Sequence, residues 1–111
     1  MQFDKFLNPR HFHVGVRNEI VLRQVGLCQL ETDELLTIQN TGQQKYDIVC
    51  KSWGFYATPS INPRLVNEGL LVALIQNHLG REFIVLVNNK SKQEFGDYCL
   101  KESLKVIKWL S

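Results

Sequence analysis

The sequence predicts an α+β fold in which a mostly antiparallel sheet curls into a roll or partial barrel. Two apolar runs, residues 70–76 and 82–88, are separated by five residues that include Gly80, a pattern typical of a β-hairpin. Ser91 and Glu94 then have the spacing of a capping box, which indicates that a helix follows the second run. Strands that are apolar on both faces need a cover, and this helix is the expected one.

The first half of the chain is predicted to contain strands and turns. Residues 20–38 are rich in β-branched residues and leucine, and they are interrupted at Gly26 and by an acidic group, so two short strands are expected. Residues 35–39 and 45–53 are interpreted as a hairpin whose turn contains Gly42, a residue that can take a positive φ. Because side chains alternate across a strand, the returning strand has two distinct faces. The predicted core face consists of Tyr46, Ile48, Cys50 and Ser52, and the opposite face of Asp47, Val49, Lys51 and Trp53.

The second half is predicted to add two helices and three strands. A short helix over about 62–69 would have Asn62 as its cap, Pro63 in its first turn and Gly69 at its end. Both apolar runs are interpreted as central strands. A C-terminal helix is predicted over about 92–103, with a stripe of Phe95, Tyr98 and Cys99, and residues 105–110 form a closing edge strand.

Length and composition predict one α+β domain over residues 1–111, with residues 1–18 as a less ordered N-terminal arm. The chain is 44% hydrophobic and 22% charged, which is ordinary for a folded protein. No apolar stretch approaches the roughly 20 residues that a membrane-spanning helix needs, so no membrane span is expected. The N-terminus lacks the features of a secretory signal, and a cytoplasmic location is expected. The three cysteines match no disulfide or metal-binding spacing and are interpreted as small core residues.

Charge and motifs argue against several classes of function. The formal charge is only +2, and the basic residues are scattered, so no nucleic-acid partner is expected. His11 and His13, followed by Glu19, are superficially similar to a cupin metal motif, but the spacing does not fit. No nucleophile elbow and no glycine-rich phosphate loop occur. We therefore predict no catalytic residue, no metal site and no cofactor, and we favour a protein that is not an enzyme.

The run KSWGFYATPSINPRL, residues 51–65, concentrates aromatic, hydroxyl, amide and guanidinium groups. One interpretation is structural, because aromatic side chains bury large areas and a glycine next to them permits a bulge. The other is a site for a sugar, a nucleotide or a carboxylate, in which an arginine at a helix start could clamp an anion. The candidate ligand-binding residues are Trp53, Tyr56, Ser60, Asn62 and Arg64.

This run also resembles the pattern KxWGFYATPSxNxRL of a family of short bacterial proteins of uncharacterised activity. The resemblance extends from about residue 20 to residue 110 and includes the paired apolar runs and the closing Trp109-Leu110. It implies a role in bacterial surface-polysaccharide biosynthesis and no catalytic residue. Position 63 departs from the family pattern, because it is Pro here where the family has Gly.

Three functional hypotheses follow. The first is a non-catalytic accessory or ligand-binding module in bacterial surface-polysaccharide metabolism, with a sugar or nucleotide-sugar as its ligand. The second is a small enzyme acting on a sugar or nucleotide-sugar. The third is a protein-interaction subunit, either a homodimer joined through an exposed strand edge or through aromatic surface near Trp109, or a subunit that binds a partner protein.

Overall fold

The computed structural model describes the backbone of residues 1–111 and every side chain except that of Asn62. Its strands are β1 (Gln2–Val14), β2 (Ile20–Gln29), β3 (Leu35–Gln39), β4 (Lys45–Lys51), β5 (Gly54–Ala57), β6 (Leu70–Gln76), β7 (Glu82–Asn88) and β8 (Lys105–Trp109). Its helical segments are a π-helical turn (Ile61–Leu65), a 3₁₀ turn (Asn89–Ser91) and the α-helix α1 (Lys92–Lys101).

The strands form three separate sheets, with the orders β1-β2, β3-β4-β5 and β7-β6-β8. The pairs β1–β2, β4–β5, β6–β7 and β6–β8 are antiparallel, which confirms the α+β prediction. The prediction of a single sheet curled into a roll or partial barrel was wrong. The strand β2 pairs with β1 in a sheet of two strands. This sheet therefore does not continue across the acidic turn into β3.

Residues at the start of the chain supply that partner. Residues 2–14, which were interpreted as an arm, form β1 and pair with β2 from Gln2 opposite Gln29 to Val14 opposite Ile20. Gly26 was expected to interrupt a strand, but it lies within β2, opposite Lys5. A strand can continue through this glycine because the ring of Phe3 packs over it, as aromatic rings do over glycines in sheets.

The chain forms two compact units. Unit 1 comprises Met1–Ile38 and Asp47–Thr58, and unit 2 comprises Gln39–Tyr46 and Pro59–Ser111. The buried cluster of unit 2 consists of Leu65, Leu70 and Val72, against which Tyr46, Leu86 and Leu110 pack.

In unit 2 the two apolar runs form β6 and β7 with the bounds that the sequence predicted. Only β6 is central, however, because it lies between β7 and β8. Val72 and Ala73, on opposite faces of β6, are both buried, whereas Phe83 and Ile84 of β7 are exposed. The prediction that both runs are central strands was therefore right for β6 and wrong for β7. The closing strand β8 lies at the other edge, as predicted.

The predicted helix over 62–69 is instead a π-helical turn that begins one residue earlier, with Ser60 rather than Asn62 at its cap position. The N–H of Leu65 donates to the carbonyl oxygen of Ser60 at 3.1 Å, which is the five-residue bond of a π-helix. The π-helical turn ends at Leu65, and Gly69, the predicted end of the helix, lies in the turn before β6 with a φ of 78°.

The C-terminal helix is confirmed, but it ends at Lys101 and does not begin with the predicted capping box. The side chain of Ser91 makes no capping hydrogen bond. A 3₁₀ turn precedes α1, and there the side chain of Asn88 accepts a hydrogen bond from the N–H of Lys90 at 3.0 Å. Of the predicted stripe, Cys99 is buried and Tyr98 is exposed. Burial raises the pKa of the Cys99 thiol, which keeps it protonated.

The structure corrects two details of the predicted hairpin between β3 and β4. The buried residue of β4 is Val49, which was placed on the face opposite the core, whereas Ser52 of the predicted core face is exposed. The face was misassigned because β4 also pairs with β5, whose Tyr56 lies opposite Val49. In the turn, the residue with positive φ is Gln43 (65°) rather than Gly42.

The N-terminus of unit 1 is held by a carboxylate. Glu34 accepts a hydrogen bond from the N–H of Glu31 at 2.8 Å and lies 3.1 Å from the terminal ammonium of Met1. The backbone hydrogen bond from Glu31 is the first cause that lowers the pKa of Glu34, and the hydrogen bond from the ammonium is the second. The same contact raises the pKa of the terminal ammonium.

We expect this carboxylate to stabilise unit 1 in a pH-dependent way. Because the folded-state pKa of Glu34 is lowered, its contribution is present above the ordinary value of 4.5 and is lost as the pH falls through the folded-state pKa. An NMR titration of the Glu31 amide should therefore show a midpoint below 4.5, and the Glu34→Gln variant should lack that transition. A midpoint at or above 4.5 in the unaltered chain would contradict the contact.

No helix among the described residues is long and apolar enough to span a membrane.

Candidate functional site

The five predicted ligand-binding residues are divided between the two units. Trp53 and Tyr56 belong to unit 1, on the hairpin that joins β4 to β5. Ser60 and Arg64 belong to unit 2, before and within the π-helical turn. The side chain of Asn62 lies outside the described part of the chain. We therefore describe the candidate residues of each unit separately.

In unit 1 the hairpin presents Trp53 at its tip. Lys51 pairs with Gly54, so that Ser52 and Trp53 form the connection between the strands. Gly54 has a φ of 142°, a backbone conformation that favours glycine and that lets the chain reverse directly after the indole. The adjacent strand residue Tyr56 stands opposite the buried Val49, which anchors this part of the sheet.

The rings of Trp53 and Tyr56 are stacked and nearly parallel. Their centroids are 6.1 Å apart and their planes are inclined by 15°. Both remain accessible, with 69% of Trp53 and 45% of Tyr56 exposed. We call this pair the aromatic platform. The outer face of this exposed stack is a flat apolar surface that can accept a flat apolar ligand face.

An ion pair flanks the aromatic platform. The ammonium of Lys51 donates a hydrogen bond to Asp33 in the turn before β3. This hydrogen bond is the first cause that raises the pKa of Lys51, followed by the negative charge of Asp33, and the Tyr56 hydroxyl adds a smaller effect. Lys51 therefore stays charged at neutral pH, close to the tyrosine. Since Asp33 is exposed, its second oxygen can still accept a hydrogen bond from a ligand.

A second polar group lies on the same strand, two residues before Val49. One carboxylate oxygen of Asp47 accepts a hydrogen bond from the Thr37 hydroxyl at 2.6 Å, and the other accepts one from the Thr58 hydroxyl at 3.2 Å. Because side chains alternate along β4, Asp47 and Lys51 share the face of Val49. Unit 1 thus combines an aromatic platform with two fixed carboxylates and two hydroxyls on one sheet face.

The candidate residues of unit 2 are more isolated. The side chain of Ser60 makes no capping hydrogen bond. Arg64 is exposed, and none of the described ion pairs includes it. Its guanidinium can contact an anion, and no ion pair fixes it to another of the described side chains.

Two concave surfaces of unit 2 were not predicted from the sequence. One, of about 380 Å³, lies between β7 and α1 and is mostly apolar. It is lined by Val85, Leu86, Val87, Asn88, Ser91, Glu94, Phe95 and Tyr98. The other, of about 360 Å³, is polar and rich in side-chain amides. It is lined by Gly42, Gln44, Val66, Asn67, Glu68, Gly69, Asn88, Asn89 and Lys90.

Hydrogen bonds to backbone carbonyl oxygens fix one wall of the polar cleft. The side-chain amide of Gln44 donates to the carbonyl oxygens of Gly69 at 3.1 Å and of Glu68 at 3.3 Å. The N–H of Asn89 donates to the same Gly69 oxygen at 2.9 Å. A Cβ on Gly69 would lie 3.3 Å from the Gln44 amide, so the glycine keeps this side of the cleft open.

Among the residues whose side chains are described, no three His, Cys, Asp or Glu are grouped as metal ligands. His11 and His13 both lie in β1, opposite Arg23 and Val21 of β2. Comparisons with protein families, with curated proteins and with solved structures found no match for the chain. The resemblance to a polysaccharide-associated family therefore stays a prediction.

Sequence reasoning found the two aromatic residues of this face and missed its polar ones. Asp33 and Thr37 are distant in sequence from Trp53, and turn and exposed-strand roles are the better explanation of Asp33 and Asp47 from the sequence alone. The alternation along β4 did place Asp47, Lys51 and Trp53 on one face, and that was the available signal.

Proposed function

We propose that the protein is a non-catalytic binding module that recognises a carbohydrate through the aromatic platform of unit 1. The observation that carries this proposal is the parallel, exposed arrangement of the Trp53 and Tyr56 rings. The C–H groups on one face of a pyranose ring form a flat apolar patch, and this patch matches an aromatic surface of the same size. The polar edges of both aromatic residues remain in water, as is common where Trp and Tyr form binding surfaces.

The polar groups beside the aromatic platform suit the hydroxyls of the same ligand. Sugar hydroxyls donate and accept hydrogen bonds, and the carboxylates of Asp33 and Asp47 are fixed acceptors for them. The raised pKa of Lys51 keeps an ammonium donor on the same face. A platform with a few placed polar groups is the usual composition of small-ligand sites.

A role in bacterial surface-polysaccharide metabolism, in the cytoplasm, is part of this proposal. It rests on the sequence resemblance and on the chemistry of the aromatic platform together. A nucleotide-sugar is a second candidate ligand, in this case for unit 2 by itself, because Arg64 and the polar cleft of that unit offer charged and amide groups to an anion.

Replacing Trp53 by alanine is expected to weaken sugar binding at least tenfold, because removal of a central aromatic contact typically costs about 2 kcal/mol. Binding should be measured by ligand-observed NMR and calorimetry against a panel of monosaccharides, oligosaccharides and nucleotide-sugars. Phe55→Ala is the matched control, since Phe55 is the neighbouring hairpin residue, is exposed to the same degree at 68%, and points to the opposite face of β5.

The outcomes separate the proposal from its alternatives. Loss of binding in Trp53→Ala with retention in Phe55→Ala supports the aromatic platform as the site. Equal binding by the Trp53→Ala variant, or no binding to any sugar by the unaltered chain, would contradict the proposal. Arg64→Ala separately tests binding to unit 2, because only a ligand whose anionic group binds there should lose affinity in that variant.

A further inference from the structure

The ribbon formed by β1 and β2 lacks a core of its own. Its strands contain 13 and 10 residues, and none of these residues is buried. Among the described residues, β1 and β2 pack mainly against each other. Neither strand makes a comparably extensive contact with another helix or strand. A two-stranded ribbon is at best marginally stable in water, whereas three or more strands with an apolar face are stable. The ribbon is therefore an incomplete sheet.

The accessible surface of the chain also indicates that part of its surface lacks a covering element. The accessible surface is 8319 Å². A compact monomer of 12.9 kDa would expose about 6,300 Å², and even two separate compact globules of half that mass would expose only about 7,600 Å² together. The excess over two separate globules is about 700 Å², which is close to the roughly 800 Å² that one partner contributes to a standard interface.

The two edges of the ribbon differ in how they are protected. Proteins guard exposed edges with bulges, proline and charge. The edge of β1 has such guards, because its register shifts between Lys5 and Arg10 and it contains Pro9. The edge of β2 has no proline, its register is continuous from Ile20 to Gln24, and its only charged residue is Arg23. The edge of β2 is therefore the open one.

We propose that the β2 edge pairs antiparallel with the β2 edge of a second copy of this chain, which completes a four-stranded sheet of order β1-β2-β2-β1. A two-fold axis perpendicular to the sheet keeps each residue of β2 on the same face in both copies, so the interface is isologous. It gathers Val21, Val25 and Leu27 of the two copies on one face. These side chains are about half exposed in the single chain, with Val25 at 53%.

Charge permits the pairing of β2 with a second copy of the chain. Ribbon residues 1–29 contain four Lys and Arg and two acids, so they carry the whole formal charge of +2, and a self-pairing must avoid like-charge contacts. A register centred on Gln24 pairs all residues from Ile20 to Cys28. It places Arg23 opposite Val25 of the second copy, so that no arginine faces an arginine. The self-pairing is therefore electrostatically permitted.

The variant Val25→Lys tests the interface. In the register centred on Gln24 the new lysine faces Arg23 of the second copy, and in a register centred on residue 25 it faces itself. Like charges directly opposite each other destabilise a sheet, and the two-fold axis doubles the effect, so we expect the dimer dissociation constant to rise at least about tenfold. Leu7→Lys is the matched control, because Leu7 is 96% exposed and lies in the register shift of β1.

Sedimentation equilibrium of the unaltered chain should give twice the chain mass of 12.9 kDa at high concentration. We expect Val25→Lys to shift the population to monomer and Leu7→Lys to leave it unchanged. A monomer at all concentrations would overturn the proposal, as would a dimer that Leu7→Lys dissociates and Val25→Lys does not. A monomer that captures a different protein through β2 would also overturn the choice of occupant.

Hydrogen exchange on the unaltered chain gives a test that does not depend on the folding of a variant. The β2 amides that point away from β1 should be protected at high concentration and should lose protection on dilution, while the amides on the outer edge of β1 exchange rapidly throughout. Concentration-independent exchange along β2 would contradict the pairing.

Discussion

Replacing Leu65 by alanine is expected to lower the free energy of unfolding by about 2–5 kcal/mol, the usual cost of removing a buried leucine side chain. Leu65 is only 2% exposed and forms the buried cluster of unit 2 with Leu70 and Val72. It comes from the π-helical turn, whereas the other two residues come from β6, so the leucine joins an irregular segment to the central strand. A small domain is stable by about 5–15 kcal/mol in total, and the loss should therefore be visible as a large shift of the unfolding midpoint.

The matched control is Leu79→Ala, which removes the same atoms from the turn between β6 and β7. Leu79 is 64% exposed, and a surface substitution of this kind usually changes stability by no more than about 0.5 kcal/mol. Urea unfolding monitored by circular dichroism compares the two variants. If both variants unfold at the same urea concentration, Leu65 does not occupy the core position described for it.

The success of the sequence prediction in unit 2 has a local cause. The bounds of β6 and β7 were predicted because each is a continuous apolar run and the turn between them contains Gly80, whose φ is 82°. The positive φ of Gly69, in the turn before β6, fits the predicted stop of a helical segment there for the same kind of reason. The π-helical turn itself was not predicted, because Asn62 before Pro63 has the pattern of an ordinary helix start.

The errors in sheet organisation come from pairings that no local pattern encodes. The strand β1 contains charged residues, histidines and a proline, which lower its strand propensity, and it forms because β2 offers it a partner. Once β2 is paired there, it does not join β3, and the predicted roll does not close. In the same way, the burial of Val49 depends on the pairing of β4 with β5, which places Tyr56 opposite Val49.

The aromatic residues of the candidate site in unit 1 were predictable from the sequence, and its carboxylates were not. The density of aromatic residues in one short run pointed to Trp53 and Tyr56, and their rings do lie together. Asp33 and Asp47 join them through the β3-β4-β5 sheet, so their position depends on strand pairing rather than on nearby sequence. The contacts of Lys51 with Asp33 and of Asp47 with Thr37 fix these side chains before a ligand arrives, which lowers the entropy lost on binding.

Replacing Gly26 by alanine is expected to destabilise unit 1 by about 1–3 kcal/mol, the usual cost of inserting a methyl group into a filled space. A Cβ at this position would lie 2.8 Å from the backbone carbonyl oxygen of Asp4 and 3.1 Å from the ring of Phe3. The ring can rotate, but the carbonyl belongs to the neighbouring strand. Relief therefore requires β1 and β2 to move apart, and this would weaken the ribbon hydrogen bonds on both sides of Gly26.

The control for this prediction is Gly96→Ala in α1, where a Cβ would meet nothing within 4 Å. Alanine favours a helix interior over glycine by about 1 kcal/mol, so this variant should be more stable than the unaltered chain. The same chemical change is thus expected to act with opposite sign at the two positions. Thermal unfolding measures both signs, and amide exchange of β2 should accelerate only in Gly26→Ala. A stabilised Gly26→Ala variant would show that the strands do not approach as closely as the 2.8 Å distance requires.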